Sequence, residues 1–125
     1  MASLSKSEML LLSQLGYTFY REGQYEKAIS FFEGLSELQP DFPQFHSVLA
    51  VLYHVTHRTE AALREAKLAM QLRPADVSLM ITVGEIYLSQ GQLTAAREVL
   101  NRALAEAART RHPAVPRITL LLQNA

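Results

Sequence analysis

The sequence repeats with a period of 34 residues, and no other feature limits the fold as strongly. Small, aromatic and proline residues return at matching positions in three successive copies. The aligned sets are Gly16, Ala50 and Gly84; Phe19, Tyr53 and Tyr87; Ala28, Ala62 and Ala96; Leu35, Ala69 and Ala103; and Pro40, Pro74 and Ala108. Such periods are typical of stacked helical hairpins, which bury their apolar faces against neighbouring copies. We therefore predict an all-α fold with repeats 9–42, 43–76 and 77–110.

Each repeated residue type has a local physical reason. A small residue such as Gly16 in the first helix allows the second helix to approach closely, and we expect Ala28 to meet this notch. Gly23 and Gly91 suit the left-handed conformation that ends a first helix. Pro40 stops a second helix. The predicted helices are Ser7–Glu22, Tyr25–Leu38, Pro43–Thr56, Thr59–Leu72, Val77–Gln90 and Leu93–Ala108, and the predicted N-cap residues are Asp41, Thr59 and Asp76.

The repeat resembles the tetratricopeptide repeat (TPR) family. The first copy carries most of the family signature: Leu12, Leu15, Gly16, Phe19, Gly23, Tyr25, Ala28, Phe32, Leu35 and Pro40. The second copy departs from it most, with His46, Ala50 in place of glycine, His57 at the turn and Ala66 where a large apolar residue is usual. The resemblance implies a right-handed superhelix of three hairpins in a single domain, 1–125. Turns are expected at His112-Pro113 and again at Pro116. A short C-terminal helical segment within 111–125 then caps the array or forms an interface.

Composition excludes several classes of function. The chain has 12 basic and 12 acidic residues without a long run of either sign, so no nucleic-acid or anionic membrane surface is expected. It has no cysteine, which excludes disulfides and thiolate metal sites. No stretch fits a signal peptide or a membrane span, so we predict a cytoplasmic protein. The four histidines lack metal-binding or catalytic spacing, and no phosphate loop occurs. We predict no enzymatic activity, no metal and no cofactor.

In the TPR family, the first helices of successive hairpins line a concave groove that binds a polypeptide. The groove positions implied by the resemblance are Leu10, Ser13, Tyr17, Tyr20, Arg21, Gln44, Val51, His54, Val55, Ile81, Glu85 and Leu88. Tyr17 and Tyr20 are expected to anchor a partner, because rigid aromatic rings with a polar tip are favoured contact residues. For Val55 and Ile81, packing against a neighbouring helix is an equal alternative.

The matching positions lack the lysines and asparagines with which TPR co-chaperones bind the acidic C-terminus of heat-shock proteins. The short lead, three repeats and apolar groove instead resemble the small TPR chaperones of bacterial type III secretion. That resemblance implies a protein or peptide client, a small secreted component with an amphipathic segment, held in the cytosol before export. The alternatives are a general TPR adaptor in another bacterial assembly and a self-associating structural protein, such as a homodimer, that uses Ile118–Leu122.

Overall fold

The structure, a computed structural model, describes residues 4–125, and every regular element in that range is a helix. The helices are α1 (Lys6–Arg21), α2 (Tyr25–Leu38), α3 (Pro43–Val55), α4 (Thr59–Leu72), α5 (Val77–Ser89), α6 (Leu93–Arg109) and α7 (Val115–Leu122). The all-α prediction is confirmed, and α2 and α4 have the predicted bounds. Across residues 4–125, no helix is both long enough and apolar enough to cross a membrane.

The chain forms two compact units. The first runs to Leu72 and contains α1 to α4, and the second runs from Arg73 to Ala125 and contains α5 to α7. The helices of the first two repeats therefore lie in the first unit, and the helices of the third repeat lie in the second. That residues 1–125 form a single domain stays a prediction.

Side chains cap two of the helices. The Ser5 hydroxyl accepts a hydrogen bond from the Glu8 amide at 3.1 Å, and the Glu8 carboxylate accepts one from the Ser5 amide at 2.9 Å. This capping box, which the sequence reading missed, lowers the pKa of the Glu8 carboxyl, mainly through the bond from the Ser5 backbone. Asp76 caps α5 as predicted, because its carboxylate accepts a hydrogen bond from the amide of Leu79 at 3.1 Å.

Two predicted caps were wrong. The N-cap of α3 is Phe42 rather than Asp41, and it makes no side-chain cap bond. Pro43 is the first residue of this helix, where its missing amide hydrogen costs no intrahelical bond and its fixed φ suits the helix. Thr59 lies inside α4 as its first residue.

The first helix of each hairpin ends in a left-handed residue. Gly23 and Gly91 have φ values of 74° and 72°, which confirms their predicted role. His57 occupies the same turn in the second repeat with φ 64°, and Arg111 follows α6 with φ 53°. At these two residues the backbone is left-handed, a conformation that is energetically unfavourable for residues other than glycine.

The core of the first unit centres on α2, which packs against both α1 and α3. Ile29, Phe32 and Leu35 of α2 are buried together with Phe45 and Leu49 of α3. The rings of Phe32 and Phe45 are 6.2 Å apart. On its other side α3 packs closely against α4, whose contact positions are the fully buried alanines Ala62, Ala66 and Ala69.

The notches at Gly16 and Gly84 are each filled by a large side chain. A Cβ at Gly16 would lie 2.5 Å from Cζ of Phe32, and one at Gly84 would lie 2.5 Å from Cδ2 of Leu100. The filling residue lies 16 positions after the glycine, about one turn beyond Ala28, which is itself fully buried. That Ala28 also meets the notch stays a prediction. The same offset relates Ala50 to Ala66, and both are fully buried.

In the second unit, α5 and α6 form a hairpin and α7 packs against α6. Ile118 of α7 is fully buried. The turn predicted at Pro116 is wrong, because α7 already begins at Val115 and holds this proline in its first turn. Proline is tolerated there since the first amides of a helix have no intrahelical acceptor.

Candidate partner-binding surface

The five predicted groove residues of α1 divide between surface and core. Leu10 is 53% exposed and Arg21 is exposed, whereas Tyr17 and Tyr20 are half-buried. Leu10, Tyr17 and Arg21 are seven and four positions apart, a spacing that puts them on one side of a helix. Ser13 is only 6% exposed. Ser13 was expected at the groove surface, but this expectation was wrong because the residue lies in the core.

The two tyrosines are held by aromatic contacts within the first unit. The Tyr17 ring lies 5.4 Å from the Phe32 ring, and the Tyr20 ring lies 5.8 Å from the Tyr25 ring. Burial raises the pKa of the Tyr17 phenol. Both rings are thus fixed before any partner arrives, and little side-chain entropy is lost when a partner covers them.

Arg21 has one hydrogen bond among the described side chains, a donation to the Thr18 hydroxyl at 3.3 Å. The Thr18 hydroxyl in turn donates to the carbonyl of Gln14 at 3.0 Å. The remaining guanidinium donors face solvent, because the residue is exposed. Arg21 is therefore suited to orient an acceptor on a partner.

The predicted groove residues of α3 are partly accessible. Gln44 is exposed and Val55 is 37% exposed, whereas Val51 and His54 are half-buried. Both α1 and α3 pack against α2, so the first unit supports both sets of residues on one core. The accessible valine and histidine atoms extend the mixed apolar and polar character found on α1.

In the second unit, the predicted residues of α5 have different surroundings. Ile81 is 7% exposed, which fits packing rather than partner contact. Leu88 is half-buried. The Glu85 carboxylate accepts a hydrogen bond from Arg117 of α7 at 2.7 Å. The sequence reading missed this pair, because the two residues are 32 positions apart and the start of α7 was misplaced.

A buried polar link also escaped the sequence reading. His46 is 6% exposed, its Nδ1 lies 2.9 Å from the Glu65 carboxylate, and its Nε2 lies 2.7 Å from the Pro40 carbonyl oxygen. The ring joins α3 to α4 and to the turn before α3. Within residues 4–125 no group of three or more potential metal ligands occurs.

Family models confirm what the repeat pattern indicates. Residues 13–77, more than half of the chain, match a model described as tetratricopeptide repeat, and residues 56–115 match a second one. This chain belongs to the tetratricopeptide repeat family.

A curated relative adds little about function. A TPR repeat-containing thioredoxin from Arabidopsis thaliana, TTL4, is 27% identical over 99 residues. The match covers 79% of this chain but only 14% of the length of the plant protein. The similarity is therefore confined to a TPR segment within a much longer protein.

Solved structures share this TPR fold along nearly the whole chain. PcrH bound to the chaperone-binding region of PopD has a TM-score of 0.89 at 23% identity, over 98% of this chain and 95% of that one. The type III secretion translocator chaperone SycD of Yersinia enterocolitica has a TM-score of 0.89 at 20% identity, over 97% and 85% of the two chains. The TPR2B domain of yeast Sti1 has a TM-score of 0.86 at 15% identity, over 90% and 91%. Because all three are less than 25% identical to this chain, these similarities establish the fold alone.

Proposed function

We propose that this TPR protein is a non-enzymatic chaperone, cytoplasmic and bacterial, that binds a small secreted component of a type III secretion system before export. The observation that carries the proposal is the apolar, pre-ordered surface of the first unit. Leu10 and Val55 expose 53% and 37% of their area, and Tyr17 and Tyr20 present rings fixed from behind. Apolar helix surfaces that stay accessible after folding are typical of partner-binding sites.

Structural neighbours support the chaperone role. PcrH and SycD have been solved with the chaperone-binding region of PopD and with a peptide of the translocator YopD, respectively. The same fold here carries accessible apolar residues on first helices, where the TPR family binds polypeptides. A client that docks an amphipathic segment on these helices has its apolar face covered, which blocks premature self-assembly. The mechanism is stoichiometric binding.

The predicted groove residues of the two units make separate contributions in this proposal. Those of α1 and α3 supply the apolar contacts and the Arg21 guanidinium. On α5, Leu88 offers a partly accessible apolar side chain, while Glu85 is paired with Arg117. We expect the tyrosines of α1 to contribute more binding energy than any residue of α5.

The experiment is affinity capture from the cytosol of the native cell, with wild-type protein and two variants. Tyr17→Ala with Tyr20→Ala removes the anchors, and Leu10→Glu with Val55→Glu places charges on exposed positions that the core does not need. Each variant should weaken client binding by about tenfold or more, since aromatic anchors are the usual hot spots. Helicity by circular dichroism should stay nearly unchanged.

A matched control truncates apolar residues of second helices. Leu38 and Leu68 are 46% and 43% exposed, and Leu38→Ala with Leu68→Ala should leave client binding unchanged. Equal binding by the wild-type protein and both well-folded groove variants would move the site to another surface. Capture of many unrelated proteins would favour a general adaptor over a dedicated chaperone.

A further inference from the structure

The first helix carries a second accessible apolar surface, which the proposed groove does not use. Leu11, Leu15 and Phe19 are four residues apart and form a line along α1, called here the edge stripe. Leu11 is 67% exposed and Leu15 is 49% exposed. Phe19 is half-buried, with its ring 6.0 Å from that of Phe31. At 100° per residue Leu15 and Tyr17 point about 200° apart, so the edge stripe lies across the helix from the groove residues.

The next repeat contains an equivalent stripe, and there a neighbouring helix already covers it. Adding 34 to each position gives Phe45, Leu49 and Tyr53 of α3. Phe45 and Leu49 are 0% and 2% exposed, because α2 covers them. The Phe32 ring contacts Phe45, and the Tyr53 hydroxyl donates a hydrogen bond to the Glu33 carboxylate. In α3, therefore, the stripe is a helix-docking surface, and its docked helix is a neighbouring second helix.

The edge stripe of α1 carries apolar residues equivalent to the docking residues of α3. Within residues 4–125 no helix covers them. We propose that it binds a helix of the partner protein, stacked on α1 as α2 stacks on α3. This inference rests on the proposed function, since it assigns the client a second contact outside the groove. The stripe continues into a shallow, mostly apolar depression of about 530 Å³ lined by Phe19, Glu26, Lys27, Ser30 and Phe31. A helix with apolar side chains fits this surface.

One contact at the internal interface indicates the chemistry of the missing helix. In α3 the Tyr53 hydroxyl binds Glu33 of the docked helix. The matching residue of α1 is Phe19, which has no donor. Glu33 is exposed, and what it gains beside α3 is the hydrogen bond from the Tyr53 hydroxyl. An acidic residue at that place in the partner helix would gain no such bond, whereas an apolar residue would pack against the Phe19 ring. The partner helix therefore has an apolar residue where α2 has Glu33.

A second contact gives the same answer. Arg58, just after α3, forms an ion pair with Glu26 of α2 at 2.5 Å. The matching residue after α1 is Gln24, which is uncharged. The two residues that bind carboxylates of the docked helix α2 are thus matched by Phe19 and Gln24, and both are uncharged. The partner helix consequently gains no ion pair from an acidic residue where α2 has Glu26.

The test uses full-length protein and two labelled synthetic peptides, with binding measured by fluorescence anisotropy. One peptide has the native sequence of residues 24–39, which contains α2. The other carries Glu26→Gln and Glu33→Leu, the changes that match Gln24 and Phe19. We expect the second peptide to bind at least about tenfold more tightly than the first, and Leu11→Glu with Leu15→Glu to abolish its binding. Gln14→Glu is the control, because Gln14 is exposed and lies outside the stripe.

Three results would overturn the proposal. The peptides bind equally or not at all, or the double variant in the edge stripe still binds the second peptide. Alternatively, light scattering shows a dimer that Leu11→Glu with Leu15→Glu converts to a monomer, which would make a second copy the occupant. Tyr17→Ala with Tyr20→Ala should leave peptide binding intact. If peptide binding persists while no client is captured, only the proposed chaperone function fails.

Discussion

Replacing the glycine of the first notch with alanine tests how the hairpins close. A Cβ at Gly16 would lie 2.5 Å from Cζ of Phe32, about 1 Å inside the normal carbon contact distance. The ring has little room to retreat, because Phe32 is fully buried and packs against the rings of Phe31 and Phe45. Overpacking of this kind costs about 1–3 kcal/mol. Alanine also favours the helix by about 1 kcal/mol relative to glycine, which partly offsets the clash.

Gly34 provides the matched control, since it lies inside α2 and a Cβ there would meet no atom within 4 Å. Gly34→Ala should raise the free energy of unfolding by about 0.5–1 kcal/mol. Because the propensity gain is common to both variants, Gly16→Ala should be less stable than Gly34→Ala by about 1–3 kcal/mol. Gly84→Ala should behave like Gly16→Ala, because its Cβ would lie 2.5 Å from Cδ2 and 2.7 Å from Cγ of Leu100, which is fully buried.

Urea unfolding followed by circular dichroism at 222 nm measures these differences. A loss of 2 kcal/mol lowers the urea midpoint by about 1 M when the slope is near 2 kcal/mol per M. Equal stabilisation by Gly16→Ala and Gly34→Ala would refute the reasoning, because it would mean that the notch has room for a methyl group.

Two further substitutions test the departures of the second repeat. His57→Gly should raise the free energy of unfolding by roughly 1 kcal/mol, because His57 has φ 64° at the turn where the other repeats have glycine. A lower urea midpoint would contradict this. Ala66→Leu should destabilise the protein by about 1–3 kcal/mol, and adding Ala50→Gly should recover most of the loss by recreating the notch. In a double-mutant cycle, purely additive effects would show that the two alanines do not share one site.

Much of the fold was predictable because the repeat samples the same physical constraints three times. Helix bounds follow from turn glycines and prolines, which act locally, and α2 and α4 matched to the residue. The large side chain that fills each notch was not predicted. A small residue is consistent with close helix approach anywhere on the facing surface, and only the structure shows that Phe32 and Leu100 reach the glycines.

The candidate site was less predictable, because exposure depends on contacts between residues far apart in sequence. Ser13 and Ile81 fit the groove pattern yet are buried. Glu85 was expected to be available to a partner, but Arg117 binds it from a helix whose start was misplaced. His46 looked like a departure from the repeat and proved to be a buried link between helices.

The most direct test of the central claim is capture from the native cytosol, with the bound proteins identified by mass and the complex sized by light scattering. Our account predicts one small secreted protein in fixed stoichiometry with the wild-type chain, and its loss when Tyr17 and Tyr20 are both alanine. Recovery of the chain alone, or of the same client by the folded double variant, would contradict it.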